Sequence, residues 1–236
     1  MSRLSARKVT VMGSTFLVDS LRASVGSGDR DGLADWRAMD AFELDLDPLR
    51  RLASWLDAAR SAGAPMPEAM ALASATREGQ PSLRMVILRG LGGGLTFFTD
   101  GESDKATELI ANPRAAAVFH WLLPVNRQVR AAGPVSVASA EEADRYWGSR
   151  PPGVRYNALA SHQSRVVDGR ESLEADVADV AGRYPDESSI PRPERWVGFQ
   201  ITPEVVEFWE EKPDRIHDRI RYRRSGETWE IERLSP

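Results

Sequence analysis

The sequence contains no cysteine. Disulfides, iron–sulfur clusters and thiolate-bound zinc are therefore excluded. Histidine is scarce too: His120, His162 and His217 are the only three, far apart and without HxxxH-type spacing, so no metal site is expected. No apolar run approaches the roughly 20 residues of a membrane-spanning helix, and no membrane partner is expected. Positive charge is not in excess, since 31 Lys and Arg face 35 Asp and Glu for a formal net charge of −4. The basic surface that releases counterions from nucleic acid is missing overall, which argues against a nucleic-acid partner. Near the N-terminus, Gly13, Ser14, Thr15 and Asp19 follow Arg3, Arg7 and Lys8 and break any signal-peptide core. A cytoplasmic protein is the simplest expectation.

What is present is an ordinary globular composition, 42% hydrophobic and 28% charged, in a chain of 236 residues. That length suits one domain with a sizeable core. Residues 1–41 carry many Ser, Gly, Asp and Arg and read as a partly disordered N-terminal extension, with a short helix around Ser14–Ala23. The main domain is expected over residues 42–236. Helical spacing of Leu49, Leu52, Trp55 and Leu56 after an Asp-Pro start signal predicts a helix over Leu44–Ala62.

From Ala69 the pattern turns to strands. Ala69–Thr76, Leu83–Arg89 and Leu95–Thr99, joined by tight turns, predict an antiparallel meander. A short helix at Asp104–Ala111 has Ser103 as its N-cap. Strands at Ala115–Trp121 and Arg127–Val137 precede a helix at Ala140–Gly148, which the Arg150-Pro151-Pro152-Gly153 stretch stops. A further helix covers Arg170–Arg183, and strands at Val197–Trp209, Arg215–Arg223 and Thr228–Leu234 finish the chain. Strands dominate and no βαβ alternation appears. The expected fold is mainly β with flanking helices, a closed antiparallel barrel.

Several residue patterns can carry chemistry. Arg215, His217 and Arg219 alternate along an expected strand, which would place two guanidiniums and an imidazole on one face. Such a row suits a phosphate or an electron-rich heteroaromatic ring, or else forms a solvated cationic face. Ser103-Asp104-Lys105 opens a helix, where free N–H groups and the dipole favour anions, although an ordinary capped helix has the same look. Arg84 and Arg89 flank an apolar strand and, five apart, face opposite sides. Gln128, Gln163 and Ser164 could reach a flavin edge or a phosphate, or could cap loops. Trp209 packs in the core or touches a ligand. Gly90–Gly94 lacks the Lys-Ser/Thr and the helix of a phosphate loop and reads as a hairpin turn.

In order and spacing these segments resemble the pyridoxine/pyridoxamine 5′-phosphate oxidase family from about Asp47 to Pro236. The resemblance rests on Arg84–Arg89, Phe97-Phe98-Thr99, Asn112-Pro113-Arg114, Arg127-Gln128-Val129, Ser149-Arg150-Pro151, Ser161–Ser164, Glu207-Phe208-Trp209, Arg215–Arg219 with Tyr222, and the final Glu232–Pro236. It implies a split β-barrel homodimer with FMN at the subunit interface. FMN would contact Arg84, Met85, Val86, Ile87, Leu88, Arg89, Phe98, Thr99, Lys105, Gln128, Gln163, Ser164, Trp209 and Arg219. A phosphorylated or anionic heteroaromatic substrate would meet Arg89, Tyr146, Arg150, Arg215 and His217, with Arg215 and His217 as the catalytic pair. The implied reaction is hydride transfer to flavin N5 with dioxygen as final acceptor and hydrogen peroxide released, oxidising pyridoxamine or pyridoxine 5′-phosphate to pyridoxal 5′-phosphate.

Three positions depart from the family's pattern. Arg89 replaces a lysine, Asp104 replaces an FMN-phosphate arginine, and Val154 replaces a phosphate-binding serine. Two other readings stay open: an FMN oxidase of specialised metabolism, of the kind that aromatises dihydrophenazines, and a non-catalytic split barrel binding flavin, deazaflavin or haem.

Overall fold

The computed structural model describes Thr10–Val11, Ser14–Thr15 and residues 45–236. The chain divides into two compact units, Met1–Leu44 and Asp45–Pro236. In the first unit β1 (Thr10–Val11) pairs antiparallel with β2 (Ser14–Thr15). Ser14 and Thr15 are thus extended rather than the start of a helix, and the rest of the expected Ser14–Ala23 helix lies outside the described residues.

The second unit begins with α1 (Pro48–Ser61), capped by Asp47, whose carboxylate accepts from the N–H of Leu49 at 2.9 Å. Nine strands follow: β3 (Ala69–Ala75), β4 (Pro81–Ile87), β5 (Leu95–Asp100), β6 (Arg114–Trp121), β7 (Arg127–Val137), β8 (Trp196–Ile201), β9 (Val205–Glu210), β10 (Asp218–Ser225) and β11 (Thr228–Arg233). The helices between them are α2 (Asp104–Ala111), α3 (Ala140–Ser149), α4 (Pro152–Ala160) and α5 (Arg170–Arg183). Among the described residues no helix is long and apolar enough to cross a membrane.

Strand β7 serves two sheets. Arg127–Ala132 pairs with β9, whereas Val135–Val137 pairs with β8. The change of partner falls at Gly133, where a Cβ would lie 2.0 Å from the carbonyl oxygen of Thr202, so only glycine lets the two segments approach. The main sheet runs β11-β10-β9-β7-β6-β3-β4, and β8 links β7 to β5. A bridge between Gly90 and Thr96 returns β5 to the end of β4, with Arg89 N–H donating to the Thr96 carbonyl at 2.7 Å. The ring β4-β3-β6-β7-β8-β5 is therefore closed, and it is split where β7 turns outward to β9. This is a split β-barrel with flanking helices.

Alternation fills the barrel. Met70, Leu72, Leu95, Phe97, Phe119, Phe199 and Ile201 are fully buried, and Phe97 stacks on Phe199 across the β5–β8 pair at 5.9 Å. Each such side chain contributes about 1.5–3 kcal/mol on burial. A second layer joins α1 to the extended sheet. Trp55 meets Phe208 edge-on at 5.0 Å, and the buried Tyr222 hydroxyl donates to the Asp45 carbonyl at 2.9 Å.

Four expectations need correction. β3 and β4 form a hairpin, but β5 runs along β8 and only bridges β4, so the meander has two strands. The single strand over Val197–Trp209 is two, broken at Thr202-Pro203-Glu204, because Pro203 has no N–H for a ladder. The Arg150–Gly153 stretch does end α3, at Ser149, but Pro152 also starts a further helix, α4, at a position where the missing N–H has no intrahelical partner. Ser103 occupies the N-cap of α2, yet its hydroxyl donates to the Asp100 carbonyl instead of capping.

Candidate functional site

The N-terminus of α2 forms a cationic cradle. Lys105 is 7% exposed, and its Nζ donates to Gln163 Oε1 at 2.6 Å, Thr99 Oγ1 at 3.2 Å and Ser103 Oγ at 3.3 Å. All three partners are neutral. Burial first, and then the charge of Arg84, lower its pKa from the usual 10.5, against the opposing pull of Asp100, Asp104 and Glu108. Thr99 also donates to Gln163 at 2.8 Å, and Asp104 N–H donates to Ser164 Oγ at 3.3 Å. Thr99, Lys105, Gln163 and Ser164 are thus brought together. Their Lys–amide–hydroxyl surface, with the free N–H groups of α2, suits a phosphate.

Arg84 stands behind this cradle. Its guanidinium donates to Ser74 and Ser82 and lies 3.2 Å from Glu108 on α2. Burial would raise the Glu108 pKa, but hydrogen bonds from the two serines and the charge of Arg84 bring it below the ordinary value. Met85, Val86, Ile87 and Leu88 continue along and past β4, with Met85 exposed and Leu88 buried.

The second group is an aromatic floor under arginines. Phe98 stacks on Tyr146 at 4.4 Å, Tyr146 lies parallel to Trp196 at 6.4 Å, and Trp147 meets Trp196 edge-on at 5.4 Å. Arg89 sits 5.4 Å over Tyr146, and Arg150 sits 4.2 Å over Trp196. Neither guanidinium makes a hydrogen bond or ion pair among the described residues. Burial lowers the Arg150 pKa, and the charges of Arg89 and Arg155 add to this against a favourable contribution from Tyr146.

The third group lies on the outer face of the extended sheet. Gln128 stands opposite Trp209 on β9, and Trp209 stands opposite Arg219 on β10. Cross-strand partners share a face, so these three form one row across three strands. Arg219 is held by the buried Glu207 at 2.7 Å and by the Ser235 carbonyl at 2.9 Å. The row expected along Arg215, His217 and Arg219 is a different object. β10 begins only at Asp218, and Arg215 closes a turn at φ +64°, its N–H donating to the Lys212 carbonyl at 3.0 Å. Pro213-Asp214 favours that turn over a strand. His217 packs on Trp209 with ring centroids 4.9 Å apart.

Among the described residues, no hydrogen bond, ion pair or ring contact joins the outer-face row to the cradle or to the aromatic floor. The sheet face beside the row is lined by Ala71, Ala73, Ala116, Val118 and Ala132, with exposed Leu83 at its edge, a surface suited to burial against another chain. Sequence reasoning missed Trp147, Trp196 and Arg155. The available signal for Arg155 was its position one turn before Leu159, on the apolar side of a short helix.

A split barrel with a lysine-bearing anion cradle beside an aromatic pocket defines the class as a flavin-binding split barrel. Residues 56–184 match the family described as pyridoxamine 5′-phosphate oxidase, and residues 196–236 match the pyridoxine 5′-phosphate oxidase C-terminal dimerisation region. The chain belongs to the pyridoxamine 5′-phosphate oxidase family, whose oxidases depend on FMN, and its C-terminal region indicates a homodimer.

A pyridoxine/pyridoxamine 5′-phosphate oxidase of Cupriavidus metallidurans is 45% identical over 201 residues, covering 84% of this chain and 93% of the relative. One from Rhodospirillum rubrum is 48% identical over 198 residues, covering 81% and 98%. Among solved structures, PhzG from Burkholderia lata 383 in complex with tetrahydrophenazine-1-carboxylic acid superposes with a TM-score of 0.77 at 32% identity, covering 82% of this chain and 95% of that one.

Proposed function

We propose that this enzyme oxidises pyridoxine or pyridoxamine 5′-phosphate to pyridoxal 5′-phosphate. The observation that carries the choice is the pair Arg89 and Arg150, two guanidiniums without a carboxylate partner above the Phe98–Tyr146–Trp196 floor. An anionic, flat substrate fits such a pocket. The relatives at 45% and 48% identity carry that activity in their names.

The residues present fit FMN. Lys105 lies among neutral oxygens with no carboxylate in ion-pair range, and it would hold the phosphate together with Thr99, Gln163, Ser164 and the α2 N-terminus. Arg84, Met85, Val86, Ile87, Leu88 and Phe98 would flank the ring system. Gln128, Trp209 and Arg219 would come from the partner subunit's copy of the outer face, with the cofactor then lying at the dimer interface. When bound, FMN would supply the hydride acceptor, with dioxygen as the final oxidant and hydrogen peroxide as its product.

The chain's own residues bind and orient. Tyr146, Arg89 and Arg150 would hold the substrate phosphate, and Arg215 and His217 would close over the pyridine ring. Because His217 Nδ1 accepts the Lys212 N–H, its neutral ring carries the proton on Nε2 and presents a donor outward. Fixed donors of this kind stabilise charge that develops on the substrate ring without reorganising.

A second reading is supported by Val154, 42% exposed and without a donor where the resemblance expects serine. It is an oxidase of a carboxylated polycyclic ring, akin to the ligand of the PhzG structure. The purified protein should show a flavin absorption spectrum and form the aldehyde from either vitamer phosphate in air. A yellow protein that turns over neither would sink the first reading and leave the second.

A further inference from the structure

Arg155, on α4, is the one arginine among the described residues that is buried, at 9% exposure. Its side chain makes no hydrogen bond or ion pair there, and its Nε is sealed from solvent with no partner. Leaving a desolvated guanidinium unpaired is unfavourable, so its missing partner lies outside the described residues.

Only three buried side-chain nitrogens or oxygens of the described residues lack a hydrogen-bond partner: Arg155 Nε, Arg150 Nη1 and Trp196 Nε1. All three are donors. Arg150 lies 4.2 Å over the Trp196 ring, and the field of Arg155 acts on Arg150, so the three orphans belong to one locality. What is missing there is an acceptor. A water molecule would bring no charge to a site where Arg89, Arg150 and Arg155 all lack an ion pair. Glu68, the carboxylate whose field reaches Arg89, is already bound to Arg60 at 2.6 Å.

We propose that Arg155 is a substrate-binding residue, the third guanidinium of a grip formed with Arg89 and Arg150 for a phosphate monoester dianion. Three cations balance two negative charges better than one, and a phosphate offers three terminal oxygens where a carboxylate offers two. Val154 offers no hydroxyl, and the residue next to it supplies a donor of fixed charge instead. The inference rests on the pocket assignment given under Proposed function and extends it to a residue outside that set.

The test uses the FMN-loaded enzyme and its Arg155→Gln and Arg155→Lys variants. Arg155→Gln should raise the KM for pyridoxine 5′-phosphate by about ten- to a hundredfold, as loss of a charge-assisted contact predicts, with kcat changed far less. Competitive inhibition by inorganic phosphate should weaken in parallel. Arg155→Lys should recover part of both, and the flavin spectrum should be unchanged. If wild type turns over neither vitamer phosphate, inorganic phosphate binding is titrated directly by tryptophan fluorescence. Binding that Arg155→Gln weakens upholds the grip while the vitamer reading falls. Phosphate binding that is undetectable in wild type, or equal in wild type and Arg155→Gln, overturns the grip. If Arg155→Gln does not fold, the Arg155→Lys variant carries the same comparison: unchanged KM and unchanged phosphate inhibition overturn the proposal.

Discussion

The peptide groups flanking Lys212 anchor both Arg215 and His217. Lys212 N–H donates to His217 Nδ1 at 3.2 Å, and the Lys212 carbonyl accepts the Arg215 N–H at 3.0 Å. The two side chains therefore reach their places through a turn, not through the alternation of a strand. Trp209 supports the turn from below by packing on the His217 ring.

The turn gives Arg215 a testable backbone signature. At φ +64° a side chain is strained and glycine is favoured. Arg215→Gly should fold at least as stably as Arg215→Ala, by about 1 kcal/mol, while both lose turnover by roughly a hundredfold or more. FMN should remain bound in both. Retained turnover in either variant would remove Arg215 from the substrate face, and this is read by steady-state kinetics beside the flavin spectrum.

Lys105 predicts a pH dependence with two opposite signs. Its folded pKa lies below the 10.5 of a free lysine because burial, then Arg84, disfavours the charge. Below that lowered pKa the folded chain bears the full penalty of a desolvated ammonium. As pH rises from there towards 10.5 the penalty is relieved, so this group's contribution to stability without FMN rises. FMN affinity should move the other way and fall in the same window, because the phosphate needs the charged amine. Lys105→Met should flatten both profiles, weaken FMN about ten- to a hundredfold, and leave the FMN-free melting point no lower. Fluorescence titration of FMN across about pH 7–10 reads the slope. A wild-type slope that persists in Lys105→Met would show that another group sets it.

These residues differ in how far the sequence exposed them. Helix α2 and strand β7 were legible because their periodicity is undisturbed, and the Lys105 cradle followed from a helix start. Arg215 was misplaced because alternation of Arg, His and Arg looks like a strand, whereas Pro213-Asp214 ahead of it dictates a turn. α4 was hidden because a proline pair serves equally as a stop or as a first turn. The roles assigned to Tyr146 and Arg150 came from family resemblance alone, since Phe98 and Trp196, their neighbours in space, are far away in sequence. Trp196 is separated from α3, the helix it faces, by two further helices, beyond any local pattern.

Asp104 is a site where stability and cofactor affinity should oppose each other. Its carboxylate is exposed in the first turn of α2, favourable to the helix dipole by about 0.3–1 kcal/mol but adjacent to the proposed phosphate position. Asp104→Arg reverses two units of charge and should tighten FMN by roughly tenfold, while lowering the FMN-free stability by about 1 kcal/mol. Asp104→Asn should fall between. An unchanged FMN dissociation constant in Asp104→Arg would move the phosphate away from the α2 N-terminus.

Glu207 ties Arg130 to Arg219, the end of the proposed cofactor row. At 3% exposure it accepts from Arg130 Nη2 at 2.9 Å through one oxygen, and from Arg219 Nε and Nη2 at 2.9 and 2.7 Å through the other. Removing the carboxylate strands a half-buried Arg219 beside Trp209. Arg130 is largely exposed and loses less, so Glu207→Ala should cost about 2–4 kcal/mol, below the full range for a buried pair. Arg219 should then leave the row it shares with Gln128 and Trp209, so FMN affinity should drop as well. Glu207→Gln keeps an acceptor but not the charge and should lose less stability. Urea unfolding and FMN titration on the same samples separate the two effects. If Glu207→Ala lost stability with FMN affinity intact, Arg219 would be a structural partner of Glu207 and no part of the cofactor site.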